Sequence, residues 1–416
     1  MPTERFGLEL VRKTRIVLGA WAAAYATLSA QQLLPSSEGV VRPLFSDIAI
    51  LQEEEARKDL PCTVTSIKPA LGFDFRFRSG YEVTVPLKEL ADEAGRLTMV
   101  FRVIPASHPD QPVYLSQHVP VPEIEEDAKG DADLQGVFSV GEGKYHVSWL
   151  MRDRTERVCS SSWDIEAGLP LRDKAMPLDI APEAVLAADL EPFRVERPVL
   201  RTVREGALHV KVMVNFAPQE SSSAVLQPAD TEALLSILRS IARDPRVEKF
   251  SLVVFNMQEQ RVIYRQEKAP QIDFPGLGKA VKTLNLGKID VKQLAQKHGD
   301  AEFLADLMTK EIKGNQDQPD AVIIAGPKAA VDDSLPPDAL KQLGEVKFPL
   351  FYMNYNLDPT VNPWRDAIGA AVRALKGAEY TITRPRDVFF SWSEIAGRIM
   401  KSKFGKSAAA GGILSQ

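Results

Sequence analysis

The sequence is poor in the residues on which much protein chemistry depends. Among its 416 residues are two cysteines and five histidines. Cys62 and Cys159 lie too far apart to form a Cys-x-x-Cys redox motif. No two histidines stand at the i, i+4 spacing of a helical metal site, and there is no Gly-x-Ser-x-Gly nucleophile elbow. Local sequence therefore predicts neither redox catalysis nor a histidine-bound metal, and it lacks this serine-hydrolase motif.

The chain also lacks an excess of basic residues. It carries 51 Lys and Arg against 56 Asp and Glu, a formal net charge of -5. Without residues 1–30, which hold four basic and two acidic side chains, the net charge is -7. Nucleic-acid binding usually requires a basic face, so we expect no nucleic-acid partner.

The first thirty residues have the layout of a secretory signal peptide. Four basic residues precede an uncharged run from Ile16 to Leu28, and small residues end it at Ser29 and Ala30. A helix needs about 20 residues to cross a bilayer, and this run is shorter. We predict cleavage near Ala30 and a periplasmic or secreted protein with no direct membrane span afterwards. An uncleaved amphipathic or anchoring helix is the alternative.

Export bears on the two cysteines. An oxidising compartment favours a disulfide, and we predict one between Cys62 and Cys159. Two separate buried thiols are the alternative.

Residues 31–59 show no clear period and are interpreted as a leader segment. From 60 to 167 apolar and polar residues alternate, which predicts an antiparallel β-sandwich. The stretch from Gly143 to Cys159 resembles the last hairpin of a bacterial immunoglobulin-like module. The acidic segment from Glu123 to Asp133 is interpreted as a solvated loop, with calcium binding as the minor alternative.

Residues 168–204 are rich in proline and are interpreted as a linker with a short helix from Pro182 to Leu190. Residues 205–404 alternate between strand and helix patterns, and 405–416 are predicted to be a disordered tail. The predicted strands are 209–216, 250–257, 261–265, 321–325, 349–355 and 379–383. The predicted helices are 230–243, 301–313, 337–343, 364–375 and 388–401. Continuous apolar strands of this kind favour a largely parallel sheet covered on both faces.

The order and lengths of these elements resemble the von Willebrand factor A family, and the ending from Ala374 to Asp387 resembles that family's final strand and the start of its last helix. The resemblance implies an α/β three-layer von Willebrand A-like (Rossmann-like) domain at 205–404. With the antiparallel β-sandwich predicted at 60–167, it gives a multidomain fold.

Such domains commonly hold a divalent cation in an Asp-x-Ser-x-Ser loop after the first strand, with a later Asp. Here Asn215, Ala217 and Gln219 occupy the loop positions, and Gly326-Pro327 stands where the later Asp belongs. Hard cations require carboxylate oxygens, so we expect no metal and no other cofactor. Only the serines 221–223 offer nearby hydroxyls.

Two further motifs suggest sites. The stretch Gly276-Leu277-Gly278-Lys279 has a trace of a phosphate loop, but Ala280 replaces the required Ser or Thr, so we interpret it as a loop. In the segment containing Phe389, Phe390 and Trp392, we expect these aromatics to face the core. An exposed partner patch is the alternative.

These observations predict a non-enzymatic protein that mediates protein-protein interaction or envelope assembly, with protein partners in the cell envelope or outside the cell. The expected interaction surface lies at the carboxyl ends of strands, where open α/β sheets bind their ligands. Its residues are Asn215, Gln219, Ser221, Asn356, Asp358, Asn362 and Trp364. One alternative is a hydrolase with a site in an interdomain cleft. Another is a ligand-binding protein with a deep pocket near Asn356 and Trp364. A core role for the aromatics around these positions is also open.

Overall fold

The structure is a computed structural model. It describes residues 32–34, 44–91, 95–125, 127–188, 191–201, 207–287, 299–313, 318–330, 346–361, 363 and 365–411. The described chain is β-rich, with three sheets and a smaller number of helices. It divides into two compact units. Unit 1 falls within Met1–Ala70, Arg78–Gly168 and Pro182–Ala188, and unit 2 within Leu71–Phe77, Leu169–Ala181 and Asp189–Gln416.

Unit 1 is built mainly of strands. They are β1 (Gln32–Leu34), β2 (Thr63–Leu71), β3 (Phe77–Pro86), β4 (Gly95–Pro105), β5 (Val113–Val121), β6 (Asp131–Val140), β7 (Gly143–Arg152), β8 (Val158–Ala167) and β9 (Val185–Ala187). One sheet has the order β1-β5-β4-β7-β8, with antiparallel pairing throughout, and the other has the order β2-β3-β6-β9.

Aromatic side chains join the two sheets of unit 1. Tyr81 of β3 lies 5.2 Å from Phe101 of β4 and 4.9 Å from Trp149 of β7, measured between ring centroids. Phe101 in turn lies 5.8 Å from Phe138 of β6. Because successive side chains of a strand point to opposite faces, one face of each strand supplies this core. The disulfide between Cys62 and Cys159 joins the residue before β2 to β8.

Helix α1 (Phe45–Glu53) covers the outer face of the five-stranded sheet. Its Ile50 and Leu51 pack against Val100, Leu150 and Val158, which alternate with the core-facing residues. This packing explains why β7 is buried on both faces near its end. The segment that we interpreted as a leader thus contains β1 and α1, both part of unit 1.

Unit 2 contains one six-stranded sheet and its helices. The strands are β10 (Leu208–Asn215), β11 (Val247–Asn256), β12 (Arg261–Ala269), β13 (Ala321–Pro327), β14 (Leu350–Tyr355) and β15 (Ala378–Ile382). The helices are α2 (Pro228–Ala242), α3 (Phe274–Val281), α4 (Gly299–Lys313), α5 (Ala367–Ala374) and α6 (Pro385–Gly411). The strand order is β12-β11-β10-β13-β14-β15. The pairing is parallel except for β12, which is antiparallel to β11.

Helices α4 and α5 pack on one face of this sheet, in a cluster that includes Met213, Val322, Tyr352 and Ile368. The alternate residues of the same strands are also buried, and α2 contacts β11 and β13. Every residue of β13 is buried, as expected for a parallel strand with both faces covered. Proline at the start of α2 and the Asp230 carboxylate, which accepts the Gln227 N–H at 3.1 Å, define where that helix begins.

Two local predictions are wrong. We predicted a helix from Pro182 to Leu190, but Val185–Ala187 forms strand β9 and pairs antiparallel with β6. Tertiary pairing here overrides the helix preference of the alanines. We predicted a loop at Gly276–Lys279, but this segment lies in α3 because the Asp273 carboxylate accepts the Gly276 N–H at 2.9 Å and caps the helix.

Other predictions fall partly or wholly outside the described residues. Residues 1–31, with the predicted signal peptide, and the predicted helix at 337–343 lie outside them. Helix α6 continues to Gly411, with a non-helical backbone conformation at Gly405. It therefore extends into the segment 405–416 that was predicted to be a disordered tail. None of the helices in the described ranges is both long and apolar enough to cross a membrane.

His209 of β10 makes the stability of the fold sensitive to pH. Burial lowers its pKa below the ordinary value, with Lys268 and Lys249 adding to the effect and Asp320 opposing it. The unfolded chain therefore takes up a proton first as the pH falls below about 6.5, and stability decreases towards the lower pKa of the folded state. We expect urea unfolding to show a smaller loss of stability between pH 7.5 and 5.5 in His209→Gln than in the wild type. An identical pH dependence in both proteins would contradict the assignment. Burial also lowers the pKa of His118, which accounts for part of the residual slope.

Candidate functional site

The predicted interaction residues lie at the carboxyl edge of the six-stranded sheet. Strands β10, β13 and β14 are parallel neighbours, so the loops that follow β10 and β14 emerge at the same edge. Between them β13 ends in Gly326-Pro327. Gly326 has a φ of +152°, and an added Cβ would lie 2.8 Å from the Cβ of Asn215. A larger residue, including the Asp that the resemblance leads one to expect nearby, has no room at this position.

Gln219 connects the two loops. Its amide N–H groups donate to Asn356 Oδ1 at 3.1 Å and to the Asp358 carbonyl oxygen at 2.5 Å. Its Oε1 accepts the N–H of Leu357 at 2.7 Å and the N–H of Asp358 at 3.2 Å. A glutamine amide has two donors and two lone pairs, and all are engaged. Gln219 is buried. The Gln219 side chain thus holds the two loops together.

Asparagines tie the neighbouring strand ends in a similar way. Asn215 Oδ1 accepts the Met257 N–H at 3.1 Å. Asn256 donates from Nδ2 to the Phe216 carbonyl oxygen at 2.5 Å and accepts the Glu259 N–H at 2.7 Å. Sequence reasoning missed Asn256, although its place at the end of a predicted strand was visible. The ends of β10 and β11 are therefore fixed by carboxamides.

The carboxylates near this edge serve the fold. Asp230 accepts the backbone N–H groups of Gln219 at 3.3 Å and Gln227 at 3.1 Å, and burial raises its pKa. Asp358 is exposed and accepts both the N–H and the hydroxyl of Thr360, which lower its pKa. In the part of the chain that the structure describes, no three His, Cys, Asp or Glu side chains are grouped so as to hold a metal ion.

The structure brings together three of the seven predicted surface residues, namely Gln219, Asn356 and Asp358. Asn215 and Ser221 lie at the same edge but contact residues that follow β11, since the Ser221 carbonyl oxygen accepts from Gln258 Nε2 at 2.7 Å. Asn362 and Trp364 lie outside the described residues. The resulting surface consists of two largely exposed loops, 220–227 and 356–361, that Gln219 joins at their bases.

The aromatic residues of α6 divide between core and surface. Trp392 is buried and donates its indole N–H to Asp244 Oδ2 at 2.9 Å. Phe389 is half-buried, and Phe390 is exposed. Our core-facing interpretation thus holds for Trp392 and is wrong for Phe390. The ring of Phe390 lies 5.3 Å from the Arg386 guanidinium, which explains how it is accommodated at the surface.

Unit 1 contains a Ser-His-Glu cluster that resembles a hydrolytic triad only in composition. Ser107 Oγ lies 2.7 Å from His108 Nδ1 and contacts the Glu183 carboxylate directly. Glu183 Oε2 lies 3.2 Å from the same nitrogen, His108 Nδ1. A triad uses one ring nitrogen for the nucleophile and the other for the acid. The cluster is exposed, and its geometry does not form a relay.

No sequence family and no curated protein matches this chain. Among solved structures it is similar to a point mutant of the PilB minor pilin from Streptococcus sanguinis, with 7% identity, 72% of this chain and 88% of that chain covered, and a TM-score of 0.29. It is also similar to β-glucuronidase from Bacteroides uniformis, with 9% identity, 76% and 38% covered, and a TM-score of 0.18. The matched region spans less than half of that enzyme. At these TM-scores neither likeness supports a conclusion about fold or function.

Proposed function

We propose that this chain is an exported, non-enzymatic protein that binds a protein partner in the cell envelope or outside the cell. In this proposal an immunoglobulin-like sandwich precedes a metal-less, three-layer von Willebrand A-like domain. Counted along unit 2, the strand order is 3-2-1-4-5-6, which is the order of a doubly wound α/β sheet, and described helices follow β10, β12 and β14. This topology supports the resemblance that the sequence shows.

The observation that carries the proposal is the set of hydrogen bonds made by Gln219. They hold the loops after β10 and β14 in one arrangement through a single side chain. A surface ordered before binding loses less conformational freedom on association, so more of the contact energy appears as affinity. The exposed loop residues, among them Ser221, Asp358 and Thr360, offer a polar rim, and Val225 offers an apolar contact.

The proposed location rests on the N-terminal pattern and the disulfide. Disulfides persist in oxidising compartments, and Cys62–Cys159 uses both cysteines of the chain. The basic and apolar pattern of residues 1–30 supplies the export signal in this interpretation.

Site-specific photo-crosslinking in intact cells tests the surface. We expect a crosslinker at Ser221 or Thr360 to give an adduct of the same partner, because these residues lie on the two joined loops. The matched control is Glu248, which is exposed at the amino end of β11. Gln219→Ala in the Thr360 background should weaken the adduct, because it releases the loop after β14. Equal adducts at all three positions, or none at either loop, would overturn the proposal.

A further inference from the structure

Unit 2 contains a cavity of about 500 Å³ away from the interaction surface. Its lining comes from the turn at 73–75, the segment 177–179, Arg194, one side of α2 and the residues after it, and α6. The residues from α2 onwards are Ser236, Arg239, Ser240, Arg243, Asp244, Pro245, Arg246, Phe389, Trp392 and Ser393. Ligand cavities in proteins commonly measure about 300 to 1,000 Å³, so this one suits a small organic molecule. The alternative of a ligand-binding protein predicted a deep pocket near Asn356 and Trp364. This cavity lies in another part of unit 2.

Part of the lining of the cavity is apolar. It includes Phe73, Phe75, Leu178 and Phe389 together with Trp392. Since the indole N–H of Trp392 is engaged by Asp244, the rest of its ring system is available for apolar contact. The body of a ligand in this cavity is therefore apolar.

Three arginines of the lining, Arg194, Arg239 and Arg243, take part in a network of ion pairs. Asp179 is shared by Arg76 at 2.7 Å, Arg243 at 3.3 Å and Arg194 at 3.7 Å. Glu196 is shared by Arg239 at 2.6 Å and Arg243 at 2.8 Å.

Arginines outnumber carboxylates in the lining of the cavity. Its charged residues are Arg194, Arg239, Arg243 and Arg246 with Asp74, Asp179 and Asp244. Arg246 and Asp244 pair with each other at 2.6 Å. The groups named here carry a net charge of +1 in a chain whose overall charge is -5. Burial lowers the pKa of Arg194, repulsion from Arg76 and Arg239 adds to the effect, and Glu196 and Asp179 oppose it. An added negative charge is favourable here.

Ser236 supplies an independent indication of a ligand. Its side chain is 2% exposed, it lines the cavity, and its hydroxyl has no hydrogen-bond partner among the described residues. Buried hydroxyl groups are normally paired, so an unpaired one in a cavity marks a position for a ligand atom. Ser236, Arg239 and Ser240 follow each other at i, i+3 and i+4 and therefore lie along one face of α2, and Arg243, at i+7, is the residue that caps its end.

We propose that this cavity binds a small amphipathic carboxylate. Its carboxylate accepts hydrogen bonds from Ser236 and from the guanidiniums of Arg194, Arg239 and Arg243, and its apolar chain lies against the phenylalanines and Trp392. Binding here does not depend on the proposed function of the sheet's carboxyl edge.

Calorimetric titration of the full chain with decanoate tests the site, with decanol as the uncharged probe. We expect one decanoate per chain and markedly weaker binding of decanol. Ser236→Ala should weaken decanoate binding about tenfold, because a hydrogen bond to a charged group is lost. Arg194→Gln should weaken decanoate binding but leave decanol binding unchanged.

The matched control is Ser148→Ala in unit 1. Ser148 is also 2% exposed, and its hydroxyl has no partner within the described residues, so the same substitution removes the same group from a residue that does not line the cavity. Decanoate affinity should not change in this variant. The inference fails if decanoate does not bind, if decanol binds equally well, or if Ser236→Ala and Arg194→Gln both bind like the wild type in a folded state shown by their thermal unfolding. Tighter binding of decyl phosphate than of decanoate would overturn the assignment of the head group.

Discussion

Glu311→Gln is expected to lower the free energy of unfolding of unit 2 by about 3 kcal/mol or more, because it leaves a lysine charge buried without its counter-ion. Lys211 lies on the central strand β10 and is 1% exposed. Its Nζ donates to Glu311 Oε2 at 2.5 Å and to the Glu311 carbonyl oxygen at 3.0 Å. Glutamine keeps the size of the side chain and removes only its charge.

The pKa of Glu311 fixes the sign of the pH dependence. Burial raises this pKa. The hydrogen bonds and positive charges of Arg265 and Lys211 more than offset the effect of burial, so the pKa is lowered overall. Arg265 Nη2 lies 2.7 Å from Glu311 Oε1. The stabilising contribution is therefore present above the ordinary carboxyl pKa and is lost as the pH falls through the lower, folded-state value.

Chemical denaturation of three variants distinguishes the effect of the Lys211–Glu311 ion pair from the effect of leaving one charge buried alone. Lys211→Met combined with Glu311→Leu replaces both charges by apolar groups of similar size, and such replacements are often neutral or stabilising. We expect this double variant to be more stable than Glu311→Gln alone, and Lys211→Met alone to be less destabilised than Glu311→Gln. A Glu311→Gln protein within about 1 kcal/mol of the wild type would show that the pair is not a buried charge pair in solution.

The strands and helices of unit 2 were largely predictable because their patterns are local. The apolar run at Ala321–Ala325 predicted a fully buried strand, and Ala321–Pro327 is one. The helical spacing of apolar residues at 230–243 predicted α2, which spans Pro228–Ala242. Here burial on the sheet agrees with the local preference of the segment, so pattern and structure coincide.

The failures occur where a distant partner or a single cap decides the outcome. Strand β9 forms because it pairs with the edge of β6. The sequence between 182 and 190 contains no local pattern that predicts this pairing. Helix α3 exists despite its two glycines because Asp273 caps it and Phe193 packs on Gly278. Local preference is a weak prior that tertiary contacts override.

The candidate site was predictable in its location but not in its contacts. The rule that ligands bind at carboxyl ends of parallel strands selected Gln219 and Asn356 together. Their hydrogen bond joins residues 137 positions apart, and no sequence period encodes such a pairing. The same holds for Lys211. A lysine within an apolar strand predicts a buried partner, but the sequence does not identify that partner as Glu311, which is 100 positions away.

Removing the disulfide is expected to be the second large perturbation, this time in unit 1. The bridge closes a loop with a sequence separation of 97 residues. Chain-entropy arguments assign a loop of this size about 4 to 5 kcal/mol, and removal of a native bridge from a small domain commonly costs about 2 to 5 kcal/mol. We therefore expect Cys62→Ala/Cys159→Ala to lower the free energy of unfolding by an amount in that range. Alanine is chosen because Cys159 is fully buried, and a more polar residue would add a desolvation cost of its own.

Adding a reductant distinguishes the stability that the disulfide bond contributes from the stability that packing of the two sulfur atoms contributes. The wild type should lose stability when a reductant is added and gain 2 Da in intact mass, one hydrogen for each sulfur. The double variant should be insensitive to reductant, because it has no bridge to break. Its stability should be close to that of the reduced wild type, apart from the small cavities left by the sulfur atoms. The disulfide constrains the unfolded chain of the oxidised protein, and this constraint is absent in the reduced protein. If the oxidised and the reduced wild type unfolded at the same denaturant concentration, the expectation would be wrong.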